Sequence, residues 1–245
     1  MIRLQLPPKP VQLTAEMQRE LTEQFKKDNN KAVWKKEWII QPLSQMTHSK
    51  CSFSEVKLGE EGKYLEIEHI HPKSKYPDEV VEWGNMLPIC NFCNRKKSSW
   101  NTKEKPLVNP MVDDPKDYFC VTRTGRLIAK NNNKKAIDTI NAYDLNNYDQ
   151  LQKVRLELIR NIGKHLETVL VLIDSNKTND AISFLRNILL SCGRENSYSA
   201  YRSAYVLSSE VYLEIKGKLV KLKLWDSELI VSEEEMKFCA LPIAH

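Results

Sequence analysis

The sequence predicts an α+β protein that is mostly helical, with its strands confined to the middle of the chain. Apolar residues recur at helical spacing near the start and throughout the second half, whereas alternation with a period of two occurs at residues 64–70. A glycine-containing turn also separates two short apolar runs near residues 118–130. With 245 residues, 41% hydrophobic and 28% charged, the chain can form one large core or two modest ones.

Two helices are predicted in the first fifty residues. Thr14 is a suitable N-cap for the first helix, in which apolar positions recur every four residues from Met17. Trp34 and Trp38 repeat this spacing and predict a second helix, which we expect Pro42 to limit. The simplest interpretation is a helical pair that contributes aromatic surface to a core.

A strand is predicted at residues 64–70, because apolar and acidic residues alternate there. Leu65 and Ile67 fall on one face, Glu66 and Glu68 fall on the other, and Pro72 closes the strand. The face of this strand that carries the two glutamates is therefore separate from the face that would enter a core.

The rest of the chain is predicted to form a hairpin followed by helices. Residues 118–123 and 126–130 are expected to pair across a turn at Gly125. From residue 134 the pattern is helical, with a long amphipathic helix at residues 151–173. A later helix carries a tyrosine stripe, favoured as helix packing and alternatively a partner-binding face: Tyr198, Tyr201, Tyr205 and Tyr212.

The seven glycines exclude the usual nucleotide-binding loops. Neither G-x-G-x-x-G nor G-x-x-x-x-G-K-[ST] occurs in the sequence, so any dependence on a nucleotide would have to come from a partner. No apolar run approaches the roughly 18 residues of a membrane-spanning helix, and no signal peptide precedes the early charges. We therefore expect no membrane segment and a cytoplasmic location.

The side chains best suited to catalysis and metal binding are concentrated in two segments. Residues 68–72 read E-H-I-H-P, and residues 90–97 read C-N-F-C-N-R-K-K. Hydrolysis of a phosphodiester needs a nucleophilic water, neutralisation of the phosphate charge and stabilisation of the leaving oxygen. His69 is suited to deprotonate the water, since the pKa of free histidine is about 6.5. Glu68 and Asn94 offer the oxygen ligands that Mg²⁺ or Mn²⁺ prefers.

Adjacent residues on an ideal strand point to opposite faces, which is an obstacle to joint use of Glu68 and His69. The strand must therefore twist or end at His69. Asn94 is expected near the start of a helix that faces this strand across the metal. The basic residues that follow it, Arg95, Lys96 and Lys97, are expected to contact phosphate, Lys97 from one turn further along the helix.

In these motifs, residues 50–102 resemble the HNH endonucleases, whose ββα-metal finger carries D/E-H-I-x-P on a hairpin, a central Asn, and a final His or Asn at a helix start. The resemblance implies that His69 is the general base and that Glu68 and Asn94 hold Mg²⁺ or Mn²⁺. It also implies that Asn85 braces the hairpin loop, and that His71, at a variable position, contacts metal or substrate. The chain has Glu where Asp is commoner and Asn where His is commoner.

A narrower resemblance covers residues 43–147. The string E-H-I-H-P-K-S-K-Y-P, the later L-P-x-C-x-x-C-N, P-L-V-N-P and D-D-P, and a final A-x-x-T-I-x-x-x-x-L-N are similar to the HNH effectors of Septu anti-phage systems and of some retrons, the PtuB-like proteins. Those proteins act with a separate ATPase of the ABC/SMC-like type. The resemblance therefore implies such a partner for this chain, in addition to DNA.

The cysteines leave two interpretations open. Many HNH fingers are stapled by two C-x-x-C knuckles around zinc, but here Ser54 replaces the second thiol of the first knuckle. Cys51, Cys90 and Cys93 remain, and His48, spaced H-x-x-C before Cys51, would complete a Cys₃His site for Zn²⁺. Alternatively, the three cysteines pack as small apolar residues without a metal.

Three segments are predicted: an N-terminal helical segment at residues 1–47, an HNH nuclease domain with its following basic loop and hairpin at 48–133, and a helical, partner-binding region at 134–245. Residues 95–135 carry eleven basic and four acidic residues, while the whole chain has a net charge of +5, so we expect a phosphate-binding face there. The predicted activity is DNA phosphodiester hydrolysis in anti-phage defence. The alternatives are a stand-alone restriction or homing nuclease and an inactive zinc-finger-like DNA-binding module.

Overall fold

The computed structural model describes residues 1–60 and 62–244, which form two compact units. The first, here called the finger unit, contains Arg3–Asp114 and Asn131–Leu145. The second, here called the helical unit, contains Met1–Ile2, Pro115–Lys130 and the chain from Asn146 onward. The predicted division into residues 1–47, 48–133 and 134–245 stays a prediction.

The described elements confirm a mostly helical α+β fold with a small hairpin and helix at residues 65–97. The finger unit contains α1 (Ala15–Lys27), α2 (Glu37–Met46), β1 (Leu65–His69), β2 (Met86–Cys90), α3 (Asn91–Lys97) and α5 (Lys134–Ala142). The helical unit contains α4 (Pro115–Tyr118), β3 (Phe119–Val121), β4 (Leu127–Ala129), α6 (Lys153–Asp174), α7 (Thr178–Ser191), α8 (Ser199–Leu207), α9 (Glu210–Lys221) and α10 (Ser227–Cys239).

The first helix begins where the sequence predicts, but the second does not. Thr14 caps α1 by accepting a hydrogen bond from the Met17 amide at 3.1 Å. Helix α2 begins at Glu37, after Trp34, and contains Pro42 in its interior, so the predicted extent of this helix was wrong. The helix continues past Pro42, and the loss of one backbone hydrogen bond is offset by the complete burial of Ile39 and Leu43 on the same helix.

The core of the finger unit lies against one face of the β1–β2 hairpin. The strands are antiparallel, and His69 pairs with Met86 at the end where β1 stops. Helix α3 begins directly after β2 and packs on both strands, which gives the ββα order. An apolar cluster supports this arrangement, with buried members from α1, α2, the segments that precede these helices, and the hairpin with its loop: Leu13, Leu21, Phe25, Val33, Trp34, Ile39, Leu43, Ile67, Val80, Val81, Trp83 and Met86.

The helical unit combines the predicted second hairpin with a helical core. Strands β3 and β4 pair antiparallel, and Gly125 adopts a φ of +74° in the turn between them, a conformation that side chains disfavour. The tyrosine stripe does not lie on one helix. Tyr201 and Tyr205 are on α8, which ends at Leu207, whereas Tyr212 is on α9, which Ser209 caps by accepting a hydrogen bond from the Tyr212 amide. None of the helices described in residues 1–60 and 62–244 combines the length and the apolar character needed to cross a lipid bilayer.

Candidate functional site

A cavity of about 320 Å³ opens where the end of β1 faces the first turns of α3. Its lining combines one histidine, one buried carboxyl group, an amide and several cations: Ile67, Glu68, His69, Pro72, Lys73, Ser74, Asn94, Arg95, Lys97, Ser98 and Ser99. The residues predicted as base and metal ligands therefore share one cavity.

His69 is buried and held in one orientation. Its Nε2 lies 2.8 Å from the carbonyl oxygen of Val80, and its ring meets the Trp34 ring edge-on with centroids 4.7 Å apart. A carbonyl oxygen can only accept a hydrogen bond, so the proton of a neutral imidazole is carried by Nε2. Nδ1 is then the nitrogen with a lone pair, which is the atom that can take a proton from water.

Burial keeps His69 neutral. The pKa of His69 is lowered from 6.5 to about 3, mainly by burial and then by the positive charge of Lys73, and the hydrogen bond to Val80 opposes the shift only partly. The imidazole is therefore in its basic form throughout the neutral range. A base of low pKa is a weak proton acceptor, so removal of a proton from water also requires that the pKa of the water be lowered.

Glu68 is buried beside two polar groups. Its Oε1 lies 2.5 Å from Lys97 Nζ and 3.5 Å from the Tyr143 hydroxyl oxygen. Burial raises the pKa of Glu68 to about 7, although the charge and hydrogen bond of Lys97 act in the opposite direction. A buried carboxylate with one neighbouring cation is a suitable ligand for a divalent ion, because the ion replaces the lost hydration.

The adjacency of Glu68 and His69 does not prevent joint action, because β1 ends at His69. On the strand, Glu68 faces α3 while His69 packs toward Trp34, as the alternation requires. Both residues nevertheless line the cavity. This arrangement corresponds to the second of the two possibilities set by the sequence, a strand that stops at the histidine.

Asn94 lies in the second turn of α3 and faces β1. Its Nδ2 donates a hydrogen bond to Glu66 Oε2 at 2.6 Å, which engages the NH₂ end of the amide. The amide oxygen is the end that can bind a cation, and Asn94 lines the same cavity as Glu68. Glu68 and Asn94 therefore fit a divalent ion such as Mg²⁺ or Mn²⁺ in the type of donor that they offer.

The three basic residues after Asn94 lie in different environments. Arg95 is exposed and lines the cavity, and Lys96 pairs with Asp144 at 3.1 Å while remaining half exposed. Lys97 is 3% exposed, and its ammonium also donates to the carbonyl oxygens of His69 and Ile70 at 2.7 and 3.1 Å. In this structure Lys97 thus holds the end of the strand, whereas the phosphate contacts predicted for all three stay a prediction.

Asn85 has the contacts that a brace of the hairpin loop requires. Its Oδ1 accepts from the His71 amide at 2.7 Å, and its Nδ2 donates to the carbonyl oxygens of His71 and Glu79 at 3.2 and 3.0 Å. The His71 ring turns to Glu79, with Nδ1 2.5 Å from Oε2, and is not part of the cavity lining found among the described residues. His71 therefore lies outside the cavity lining, and its predicted contact with metal or substrate stays a prediction.

Three buried thiols form a compact group beneath the hairpin. The Sγ atoms of Cys51, Cys90 and Cys93 lie within 4.8 Å of one another. Ser54 is fully buried beside them, with its Oγ 3.8 Å from Cys90 Sγ and its amide donating to Cys51 Sγ at 3.5 Å. Three soft sulfur donors withdrawn from solvent could supply three of the four ligands that a structural zinc ion takes.

The predicted fourth zinc ligand, His48, is not a member of this group among the described residues. The chain turns sharply between α2 and Cys51, since His48 and Ser49 both have positive φ angles of 52° and 56°. The H-x-x-C spacing therefore does not place the imidazole with the thiols. The polar side chain seen beside the thiols is that of Ser54, and a role of His48 as the fourth zinc ligand stays a prediction.

The thiols influence one another strongly. Burial alone would raise the pKa of Cys51, but hydrogen bonds from Cys90, Cys93 and Ser54 together lower it well below the usual value of 9. Hydrogen bonds with Cys51 and Cys90, together with burial, raise the pKa of Cys93 well above that value. One thiolate shared by several donors is the expected state of a group that could exchange its protons for a metal ion.

The positively charged stretch at residues 95–135 does not form one face of one unit. Residues 95–114 and 131–135 belong to the finger unit, whereas residues 115–130 belong to the helical unit. Several of its lysines pair with carboxylates, among them Lys103 with Glu79 and Lys135 with Asp113. The count of charges over residues 95–135 is therefore larger than the surplus of unpaired positive charge that this stretch contributes to the finger unit.

The structure adds residues to the site that sequence reasoning missed. Lys73 lines the cavity, and only its place two residues after the E-H-I-H motif could have indicated this. Tyr143 stacks on Phe53, with ring centroids 3.8 Å apart, and reaches Glu68 from a helix far along the chain. Glu66 was assigned only to the polar face of a strand, and no motif identifies its contact with Asn94.

The buried His69 should make the folded state sensitive to acid. Its pKa is about 3 when folded and 6.5 when unfolded, so its contribution to stability is present above pH 6.5 and is lost as the pH falls toward 3. Between pH 7 and pH 5 this amounts to roughly 2 kcal/mol. His69→Gln should remove that part of the pH dependence, as measured by urea denaturation in EDTA.

At each pH, the free energy of unfolding of His69→Gln should be subtracted from that of the wild type, because Glu68 adds a pH dependence of the opposite sign to both proteins. Its pKa is raised on folding, so its contribution is lost as the pH rises from 4.5 to about 7. His165→Gln, which changes an exposed histidine of α6, should follow the wild-type curve. Parallel curves for wild type and His69→Gln would show that His69 is not held neutral.

Comparisons with known proteins agree with this geometry. Residues 49–99 match the family model described as HNH endonuclease. Over 237 residues, which are 93% of this chain and 90% of the other, the sequence is 30% identical to the protein of Bacillus thuringiensis named Septu protein PtuB. The similarity thus extends through the helical unit, well past the motifs. The chain belongs to the PtuB family of Septu proteins and contains an HNH endonuclease domain.

Proposed function

We propose that this protein is a metal-dependent endonuclease that hydrolyses DNA phosphodiester bonds as the nuclease effector of an anti-phage defence system. The observation that carries the proposal is the neutral, oriented imidazole of His69 in one cavity with Glu68 and Asn94. An inactive DNA-binding module would not require a buried base with this fixed tautomer.

The proposed reaction assigns each step to a side chain of the cavity. Val80 fixes the ring of His69 so that Nδ1 accepts the proton of the attacking water. Glu68 and Asn94 would hold Mg²⁺ or Mn²⁺, which would neutralise charge on the phosphate and stabilise the leaving oxygen. Lys73 and Arg95 line the cavity and would bind the phosphate oxygens on either side of the scissile bond.

Replacement of His69 should abolish cleavage and spare binding. We expect His69→Ala to cut supercoiled plasmid DNA in Mg²⁺ or Mn²⁺ about 10²- to 10⁴-fold more slowly, the usual contribution of a general base. Binding of a short duplex, measured by fluorescence anisotropy, should be unchanged, since no phosphate contact is removed. Thermal denaturation should be measured for each variant to exclude a loss of fold.

The matched control for this experiment is His165→Ala, which removes an exposed histidine from α6. It should cut at the wild-type rate. Undiminished cutting by His69→Ala would contradict the proposed role of His69. Binding of DNA without any cutting by the wild type would favour the inactive module, and robust sequence-specific cutting without a partner would favour a stand-alone nuclease.

The cysteine group is proposed to bind one structural zinc ion through Cys51, Cys90 and Cys93, with Ser54 or a water molecule beside them. Purified protein should contain about one equivalent of zinc, and Cys90→Ser should lose it and melt at a lower temperature. Cys120→Ser, in the helical unit, is the control and should retain the metal. Zinc below about a tenth of an equivalent in the wild type would contradict the zinc site.

The defence role implies a partner, which we propose is an ABC/SMC-like ATPase of the kind that the Septu resemblance indicates. The chain has no nucleotide-binding loop of its own, so ATP would be bound by the other protein. The helical unit offers exposed apolar side chains for docking, among them Leu213 and Val220 on α9 and Ile230 and Val231 on α10.

Affinity capture should test this partnership. The protein should co-purify with the ATPase whose gene adjoins its own, and Val231→Glu should weaken the complex at least about tenfold, because a charge would then be buried at the contact. Val11→Glu is the control, since Val11 is even more exposed but lies in the finger unit. No affinity between the wild-type protein and the ATPase would contradict the partnership.

A further inference from the structure

Two matched contacts join β1 to α3 at the cavity. Glu66 and Glu68 are two residues apart on the strand and therefore share a face, while Asn94 and Lys97 are three residues apart on the helix and share a face of it. Glu66 contacts Asn94 and Glu68 contacts Lys97. Each of the two glutamates thus has a polar partner on the helix.

The contact between Glu66 and Asn94 has a direction. A carboxylate accepts hydrogen bonds and cannot donate them, so only the NH₂ end of the Asn94 amide can face Glu66. The distance of 2.6 Å from Nδ2 to Oε2 corresponds to such a charge-assisted bond. The two ends of an amide group are nearly equal in shape, so this bond decides between its two orientations.

The orientation matters because only the oxygen of Asn94 can bind a cation. With the NH₂ end held by Glu66, the oxygen end is available to the cavity that Asn94 shares with Glu68. The reverse orientation would turn two N–H groups toward the cation and repel it. Glu66 is not among the lining residues found in the described part of the chain, so it acts on the ligand and not as a ligand.

We propose that Glu66 is a positioning residue that fixes the amide of Asn94 with its oxygen toward the metal. The inference rests on the proposed function, because it presupposes that Asn94 binds the catalytic ion. Partners that orient metal ligands in this way typically contribute 10- to 100-fold in metal affinity. Glu66 lies outside the positions that the HNH motif specifies, so its contribution follows from the contact alone.

Binding of Mn²⁺ to the protein without DNA provides a direct test. Electron paramagnetic resonance of free Mn²⁺ should show about 10- to 100-fold weaker binding to Glu66→Gln than to wild type, since glutamine has nearly the same shape but does not select one end of the amide. Glu104→Gln, which changes an exposed carboxylate of the finger unit, should bind as the wild type does. A merely structural contact would change the melting temperature and leave Mn²⁺ affinity unaltered.

A second test exchanges the two functional groups, so that the amide is at position 66 and the carboxylate is at position 94. In the double variant Glu66→Gln/Asn94→Asp, the glutamine can donate to one carboxylate oxygen while the other faces the metal, so affinity should return to within about threefold of wild type. Equal Mn²⁺ affinity of Glu66→Gln and wild type, or no recovery in the double variant, would overturn the positioning role alone. Failure of the wild type to bind Mn²⁺ would overturn this role and the proposed metal-dependent function together.

Discussion

The buried ammonium of Lys97 holds the candidate site together. It bonds the carboxylate of Glu68 and the carbonyl oxygens of His69 and Ile70, so one cation of α3 fixes the last two residues of β1 and the residue that follows them. A buried pair of this kind is costly to break, generally by about 3–5 kcal/mol, because the remaining charge has no partner. The position of α3, and with it that of Asn94, therefore depends on this contact.

Burial has opposite effects on the two neighbouring residues of the site. It disfavours charge, so it raises the pKa of Glu68 and lowers that of His69. The imidazole is consequently kept as a neutral base, and the carboxyl group is kept in a state that a divalent cation would stabilise. One physical cause thus suits His69 to the role of base and Glu68 to the role of metal ligand that we propose for them.

Much of the fold could be predicted because its signals are local. The cap at Thr14, the alternation around Ile67 and the turn at Gly125 each depend on a few consecutive residues, and the structure contains the corresponding helix, strand and hairpin. The second helix was misplaced because Pro42 has a strong local preference, which packing of its neighbours overrides. The break between α8 and α9 was missed because apolar spacing continues across it.

The sequence by itself determined the family, the HNH motif and the residues proposed to carry the chemistry, because E-H-I-H-P and C-x-x-C-N keep chemically specific groups at short, fixed spacing. Only the tertiary structure decided which groups meet. It pairs Glu66 with Asn94 and Lys97 with Glu68, brings Tyr143 to the site, and puts Ser54 instead of His48 beside the thiols. These contacts join residues up to 75 positions apart, and their geometry depends on how strands, helices and turns pack, which no local pattern encodes.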